Sequence, residues 1–233
     1  NNESITSPYD AFVAEIETFN GSFANTDTIE GGVNGAVFDL GSMSGDFTNS
    51  GSITGTSATG VDIWAGAWGS SEAPVAILNT ESGVIEGGAT GFALAAGEVH
   101  GSFTNEGSIS GGTNGATFSV TTFDAPFANS GTISGGVNGV VMALGTASGG
   151  FENSGSISGT GGNGVDVTAM HALADKVSGR GANDAYDSFL ETVRGWLGRR
   201  VRGEPEPIAE AAPGEAIRAV PLARWAEVWE KVT

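Results

Sequence analysis

The chain has 233 residues, 39 of them Gly, no Cys and a formal net charge of −18. This excludes a disulfide scaffold and a thiolate metal site; collagen is excluded too, because no Gly-X-Y triplet runs through the sequence. The charge is segregated: residues 1–170 hold 17 Asp and Glu and no Lys or Arg, whereas 171–233 hold all 9 Lys and Arg beside 10 acidic residues. An all-acidic body repels phosphate backbones, which excludes nucleic acid as a partner of 1–170. The break itself sets a boundary near residue 170. No apolar run reaches the roughly 18 residues that mark a transmembrane helix. Beginning at Asn1 without Met, the sequence reads as a processed mature chain or a fragment.

In chain order, "YDAFVAEIETF" at 9–19 alternates Phe12, Ala14 and Ile16 against Val13, Glu15 and Glu17. Period two predicts a strand. Residues 1–19 read as a capping strand region, because an open solenoid end exposes strand edges that invite pairing.

Residues 20–170 repeat. The motif "FTNSGSITGT" at 47–56 returns so that Phe23, Phe47, Ile77, Phe103, Phe127 and Phe151 occupy one slot, at steps of 24, 30, 26, 24 and 24 residues. A second marker agrees: Gly at 35, 60, 91, 115, 139 and 164. A period in this range predicts a solenoid. After the second Gly the pattern alternates, with Val61, Ile63 and Ala65 inward against Asp62 and Trp64 outward. Phe92 and Leu94, Phe118 and Val120, and Val140, Met142 and Leu144 follow the same parity. One coil cannot bury its own apolar face, but stacked coils can, each Phe over the next Phe and each Ile over the next Ile. The expected fold is all-β: a right-handed parallel β-helix of about six coils, roughly three strands per coil, with a short α-helical C-terminal region. Asn25, Asn49, Asn79, Asn105, Asn129 and Asn153 share one inward slot near a corner. They are expected to form a structural ladder in which each amide finds its partners in the coils above and below.

Units of the form Phe-x-Asn-x-Gly-x-Ile-x-Gly, followed by Asn-Gly-Val-x-apolar, resemble the passenger regions of bacterial autotransporters and related filamentous adhesins over about residues 20–170. The resemblance implies display at the surface of a Gram-negative cell or secretion from it, outer-membrane association, and adhesive or assembly roles. The expected partners are the chain itself, other surface proteins and glycans.

Beyond Met170 the period is lost. From Asn183, Tyr186, Phe189, Leu190, Val193, Trp196, Leu197 and Val201 recur at helical spacing, which makes 171–202 a helical cap or linker helix. Asn183 serves as N-cap, and Arg194, Arg199, Arg200 and Arg202 lie at the C-terminal end, where cations suit the helix dipole. Residues 203–233 combine a Pro-containing linker with a short amphipathic segment, Leu222, Trp225, Val228, Trp229 and Val232. The order of repeat, helix, linker and aromatic segment is similar to that of autotransporters, but the stretch is too short for the many strands of a barrel. The tail reads as a cap or docking piece, or as a remnant of a translocation unit. Arg194, Trp196, Arg199, Arg200, Trp225 and Trp229 are its candidate assembly contacts, the arginines drawn to an acidic solenoid and the tryptophans serving as anchors.

Parallel β-helices also carry polysaccharide lyases and hydrolases, but the repeat has no basic residue and only one His, His100. Asp62 and Asp166 share a slot four coils apart, about 19 Å at the strand spacing, whereas paired-carboxylate hydrolysis needs roughly 5–9.5 Å. The expectation is therefore no enzyme, no catalytic residue and no resident metal or cofactor. "GGNGVDVTA" at 161–169 overlaps a calcium nonapeptide, but it occurs once; weak calcium binding is the only cofactor reading it leaves. Two surface features stand as contact candidates. Outward hydroxyls flank the motif Ile, at Ser52, Thr54, Ser108, Ser110, Thr132, Ser134, Ser156 and Ser158, interrupted by Glu30 and Glu86. The stretch "WAGAWGSSEAP" at 64–74 reads as an insertion with Trp64 outward and Trp68 on a loop, both able to meet a partner or glycan. The leading function is a non-enzymatic, exported cell-surface protein acting in adhesion or self-assembly. The alternative is a polysaccharide-binding or polysaccharide-degrading β-helix protein.

Overall fold

The computed structural model describes residues 3–170; the helix expected over 171–202 and the segment 203–233 lie outside the described residues. Between them residues 3–170 form a parallel β-solenoid of about seven turns. Every strand pairs in parallel with the strand one turn away. Three sheets run along the solenoid.

The first sheet carries the motif isoleucines on seven strands: Ile5–Ser7, Thr28–Gly31, Ser52–Gly55, Val84–Gly87, Ser108–Gly111, Thr132–Gly135 and Ser156–Gly159. Its register stacks Ile5, Ile29, Ile53, Ile85, Ile109, Ile133 and Ile157 in one column. The second, long-strand sheet contains Phe12–Phe19, Ala36–Met43, Thr59–Trp68, Thr90–Asn105, Asn114–Asp124, Asn138–Ala147 and Val165–Met170. The third is built from the Phe-x-Asn strands Phe23–Asn25, Phe47–Asn49, Val75–Asn79, Phe127–Asn129 and Phe151–Asn153. The strand Thr90–Asn105 turns the corner without a break and supplies Phe103 and Asn105 to this third sheet.

The core lies between the sheets. Phe103 and Phe127 stack at 4.9 Å with 17° between their planes, and Phe127 and Phe151 at 4.5 Å and 2°. Ile77 interrupts the ring stack, as its place in the motif requires. Each ring covers the flank its neighbour would otherwise expose, and a fully buried side chain of this kind contributes about 1.5–3 kcal/mol. The terminal turn shows what is lost without a neighbour: Ala14 is buried, but Ile16 on the same strand is 43% exposed.

The second glycine marker has a steric cause. A Cβ at Gly60 would lie 2.6 Å from the Gly91 carbonyl oxygen, at Gly115 2.6 Å from that of Gly139, and at Gly139 2.5 Å from that of Gly164. The backbones of successive turns approach at this corner too closely for any side chain.

Residues 5–19, expected as a capping strand region, contain strands of the solenoid itself. Ile5–Ser7 and Phe12–Phe19 continue the ladders in register, Ile5 on Ile29 and Phe12 on Ala36. They supply one turn beyond the six counted from the repeat, because that count keyed on the Phe-x-Asn slot and this turn contributes the other two.

Candidate functional site

The six ladder asparagines come together as expected, and they are internal. Each Nδ2 donates to the next Oδ1: Asn25 to Asn49, Asn49 to Asn79 and Asn79 to Asn105 at 2.8 Å, then Asn105 to Asn129 and Asn129 to Asn153 at 2.7 Å. Asn25 through Asn129 are buried. A second, shorter polar column escaped the sequence reading. Asn34 donates from its backbone N–H and its Nδ2 to Asp10 Oδ1, both at 3.0 Å. Asn34 Oδ1 in turn accepts from the Thr59 N–H at 2.9 Å, and Asn138 Nδ2 donates to Asn114 Oδ1 at 3.2 Å. The signal was there, since Asn34, Asn114, Asn138 and Asn163 each precede an anchor glycine.

The hydroxyls of the isoleucine sheet lie outward of the buried isoleucines. Register aligns Ser52, Val84, Ser108, Thr132 and Ser156 in one column and Thr54, Glu86, Ser110, Ser134 and Ser158 in the next. Val84 and Glu86 split the array. What remains contiguous is a block of Ser108, Ser110, Thr132, Ser134, Ser156 and Ser158 on three adjacent strands. Strand geometry spaces such a block at about 4.8 Å between strands and about 6.6 Å along them.

Trp64 and Trp68 separate. Trp64 is outward and 57% exposed, as expected. Trp68 is a correction: it is fully buried, and its indole N–H donates to the Gly45 carbonyl at 3.3 Å. The strand runs on through Trp68, so the extra loop is only 69–74, where Gly69 adopts φ +72° and Ser70 and Ala73 exchange backbone hydrogen bonds at 3.1 and 3.2 Å. The parity slips at Gly66. Gly66 and Ala67 both fall between inward Ala65 and inward Trp68, so Trp68 joins the column of Met43, Val99 and Phe123. Aligning that column would have placed Trp68 inside.

The long-strand sheet also holds the groups with titration chemistry. Asp62 is partly buried beside Trp64. Burial pushes its carboxyl above the ordinary value of 3.8; hydrogen bonding from the Trp64 side chain opposes this, and the like charge of Asp10 adds to it. Asp62 and Asp166 share a slot four strands apart, through Ala93, Thr117 and Val141, which the strand spacing makes about 19 Å. His100 lies 3.5 Å from Glu98 through Nε2 and 3.5 Å from Asp124 through Nδ1. The Ser148 hydroxyl donates to Asp124 Oδ1. Asp124 therefore stands between serine and imidazole, an order in which the imidazole does not reach the hydroxyl proton as a general base must. Among the described residues no group of three or more His, Asp or Glu could hold a metal ion, and no helix is long and apolar enough to cross a membrane.

Arg194, Trp196, Arg199, Arg200, Trp225 and Trp229 lie outside the described residues. No protein-family model, curated protein or solved structure matches the chain.

Proposed function

We propose that this chain is a non-enzymatic, exported protein of the Gram-negative cell surface, whose solenoid presents flat strand faces for adhesion or self-assembly. The observation that carries the reading is the block of Ser108, Ser110, Thr132, Ser134, Ser156 and Ser158, held in parallel register on one outward face. Short hydroxyl side chains on a stacked backbone have little rotamer freedom to lose on contact, which lowers the cost of association. A hydroxyl both donates and accepts, so such a face suits a second strand face or a hydroxyl-rich surface. The separation of Asp62 from Asp166 and the position of Asp124 between Ser148 and His100 support a contact role over turnover.

The test uses the full chain. Sedimentation velocity from micromolar to near-millimolar protein reads self-association, and retention on immobilised bacterial surface and host matrix layers reads adhesion. The double variant Ser110→Lys/Ser134→Lys is expected to abolish whichever is observed while its far-UV circular dichroism stays unchanged. A chain that remains monomeric and binds no layer, or that releases new reducing or unsaturated ends from a glycan panel, overturns the proposal.

A further inference from the structure

On the outer face of the long-strand sheet one large aromatic stands up from a floor of small residues. Trp64 is 57% exposed. Asp62 lies two residues earlier on the same strand and the same face. Register sets Asp39 on one side of Trp64 and Ala95 on the other. Beside Asp62 on that second side comes Ala93. One strand further, Thr117 pairs with Ala93 and Ser119 with Ala95. The relief across three strands is thus an aromatic wall, a shelf of two methyl groups and a row of hydroxyls.

We propose that this relief is a binding site for a neutral glycan. A pyranose ring has an apolar face of C–H bonds and a rim of hydroxyls. An exposed indole with a broad apolar surface matches the face. The Trp64 strand and the hydroxyl row stand two strand spacings apart, about 9.6 Å, with only the Ala93 and Ala95 methyl groups between them, which leaves room for the ring. The Thr117 and Ser119 hydroxyls supply acceptors and donors for the rim.

Charge selects the class. Residues 1–170 carry 17 acidic groups and no Lys or Arg, so an anionic polysaccharide or a second copy of this solenoid meets like charge at this face. A cationic peptide is the competing ligand. It is disfavoured because Asp62 is partly buried, and because the row beyond the shelf is uncharged. The proposal goes beyond the reading of the hydroxyl face: it names a ligand class and places that ligand on a different sheet from the Ser/Thr block.

The experiment titrates the full chain with neutral hexasaccharides (β-glucan, xylan and mannan fragments), a hexagalacturonate and a hexalysine peptide, read by tryptophan fluorescence and calorimetry. At least one neutral hexasaccharide is expected to bind, with Trp64→Ala and the shelf-filling Ala95→Phe each weakening it about tenfold or more. The hexagalacturonate is expected to bind about tenfold more weakly than the neutral chain. Ser110→Lys/Ser134→Lys is expected to leave glycan binding unchanged, which separates this site from the hydroxyl face. No neutral binding up to about 10 mM, binding that survives Trp64→Ala, or binding of the hexalysine alone overturns the proposal. Far-UV circular dichroism of the Trp64→Ala and Ala95→Phe variants confirms that a loss reflects the site.

Discussion

Asn105 Nδ2 donates to Asn129 Oδ1 at 2.7 Å, and the same nitrogen reaches the Thr132 carbonyl at 3.2 Å on the strand that follows Asn129. One side chain thus ties its own turn to two strands of the next. Asn105 Oδ1 meanwhile accepts from Asn79 at 2.8 Å. Because every amide is both donor and acceptor, the column is satisfied inside and passes its polarity to the ends.

Asn105→Ala should therefore cost far more than the loss of one hydrogen bond. It leaves Asn129 Oδ1 and the Gly107 and Thr132 carbonyls without this donor. Buried polar groups left unpaired cost about 1–3 kcal/mol each, and some recover other partners, so a net loss of about 3 kcal/mol is expected. Asn153→Ala, at the half-buried end of the column, should cost clearly less. Guanidinium unfolding midpoints of the two variants measure the contrast.

The anchor glycines predict a second contrast. Gly115→Ala would put a methyl group 2.6 Å from the Gly139 carbonyl oxygen, whereas a Cβ at Gly150 meets nothing within 4 Å. Overpacking of this kind costs about 1–3 kcal/mol; the Gly139 and Ser134 carbonyls are backbone and cannot rotate away, and Ile133 Cγ2, at 2.7 Å, belongs to a fully buried side chain. Gly115→Ala should lower the melting temperature by several degrees, with Gly150→Ala near wild type. Equal melting temperatures would remove the steric reason for the glycine marker.

The two tryptophans of the solenoid should behave as opposites. Trp68→Ala opens a cavity in the core and is expected to cost about 3–5 kcal/mol. Trp64→Ala removes an exposed ring and should stay within about 0.5 kcal/mol. In fluorescence, acrylamide quenching should fall for Trp64→Phe and hold for Trp68→Phe.

Asp62 predicts a pH dependence with a definite sign. Its folded-state pKa is raised above 3.8, chiefly by burial, so the folded chain holds this proton more tightly than the unfolded one. The resulting stability is present below the unfolded value and is lost as pH rises through the folded one. Asp62→Asn removes this loss. The variant should gain stability relative to wild type as pH rises from about 4 through the window just above it, and the gap should be constant at neutral pH. Thermal midpoints across that range test it; a gap that shrinks with rising pH would contradict the assignment.

The repeat was legible in the sequence because stacking imposes one requirement on every turn. Phe meets Phe, Ile meets Ile and Asn meets Asn at a fixed register, so the same residue is written at the same slot and a linear period suffices to find it. Even the alternation of Val61, Ile63 and Ala65 against Asp62 and Trp64 could be read, since pleating is local. Trp68 could not be placed by alternation, because the slip at Gly66 is set by how its strand pairs with Met43 and Val99 on either side. The relief around Trp64 is a mixed case. Asp39, Trp64, Ala95 and Ser119 each fall four residues after an anchor glycine, Gly35, Gly60, Gly91 and Gly115, so their common slot can be read from the second marker despite the loop 69–74. Inter-turn hydrogen bonding, which absorbs that loop, holds them side by side as that marker implies. Sequence alone determined the solenoid and its columns because each turn repeats one packing condition; the tertiary structure decided where alternation breaks and how deep each side chain lies, because that depends on inter-turn pairing and not on period.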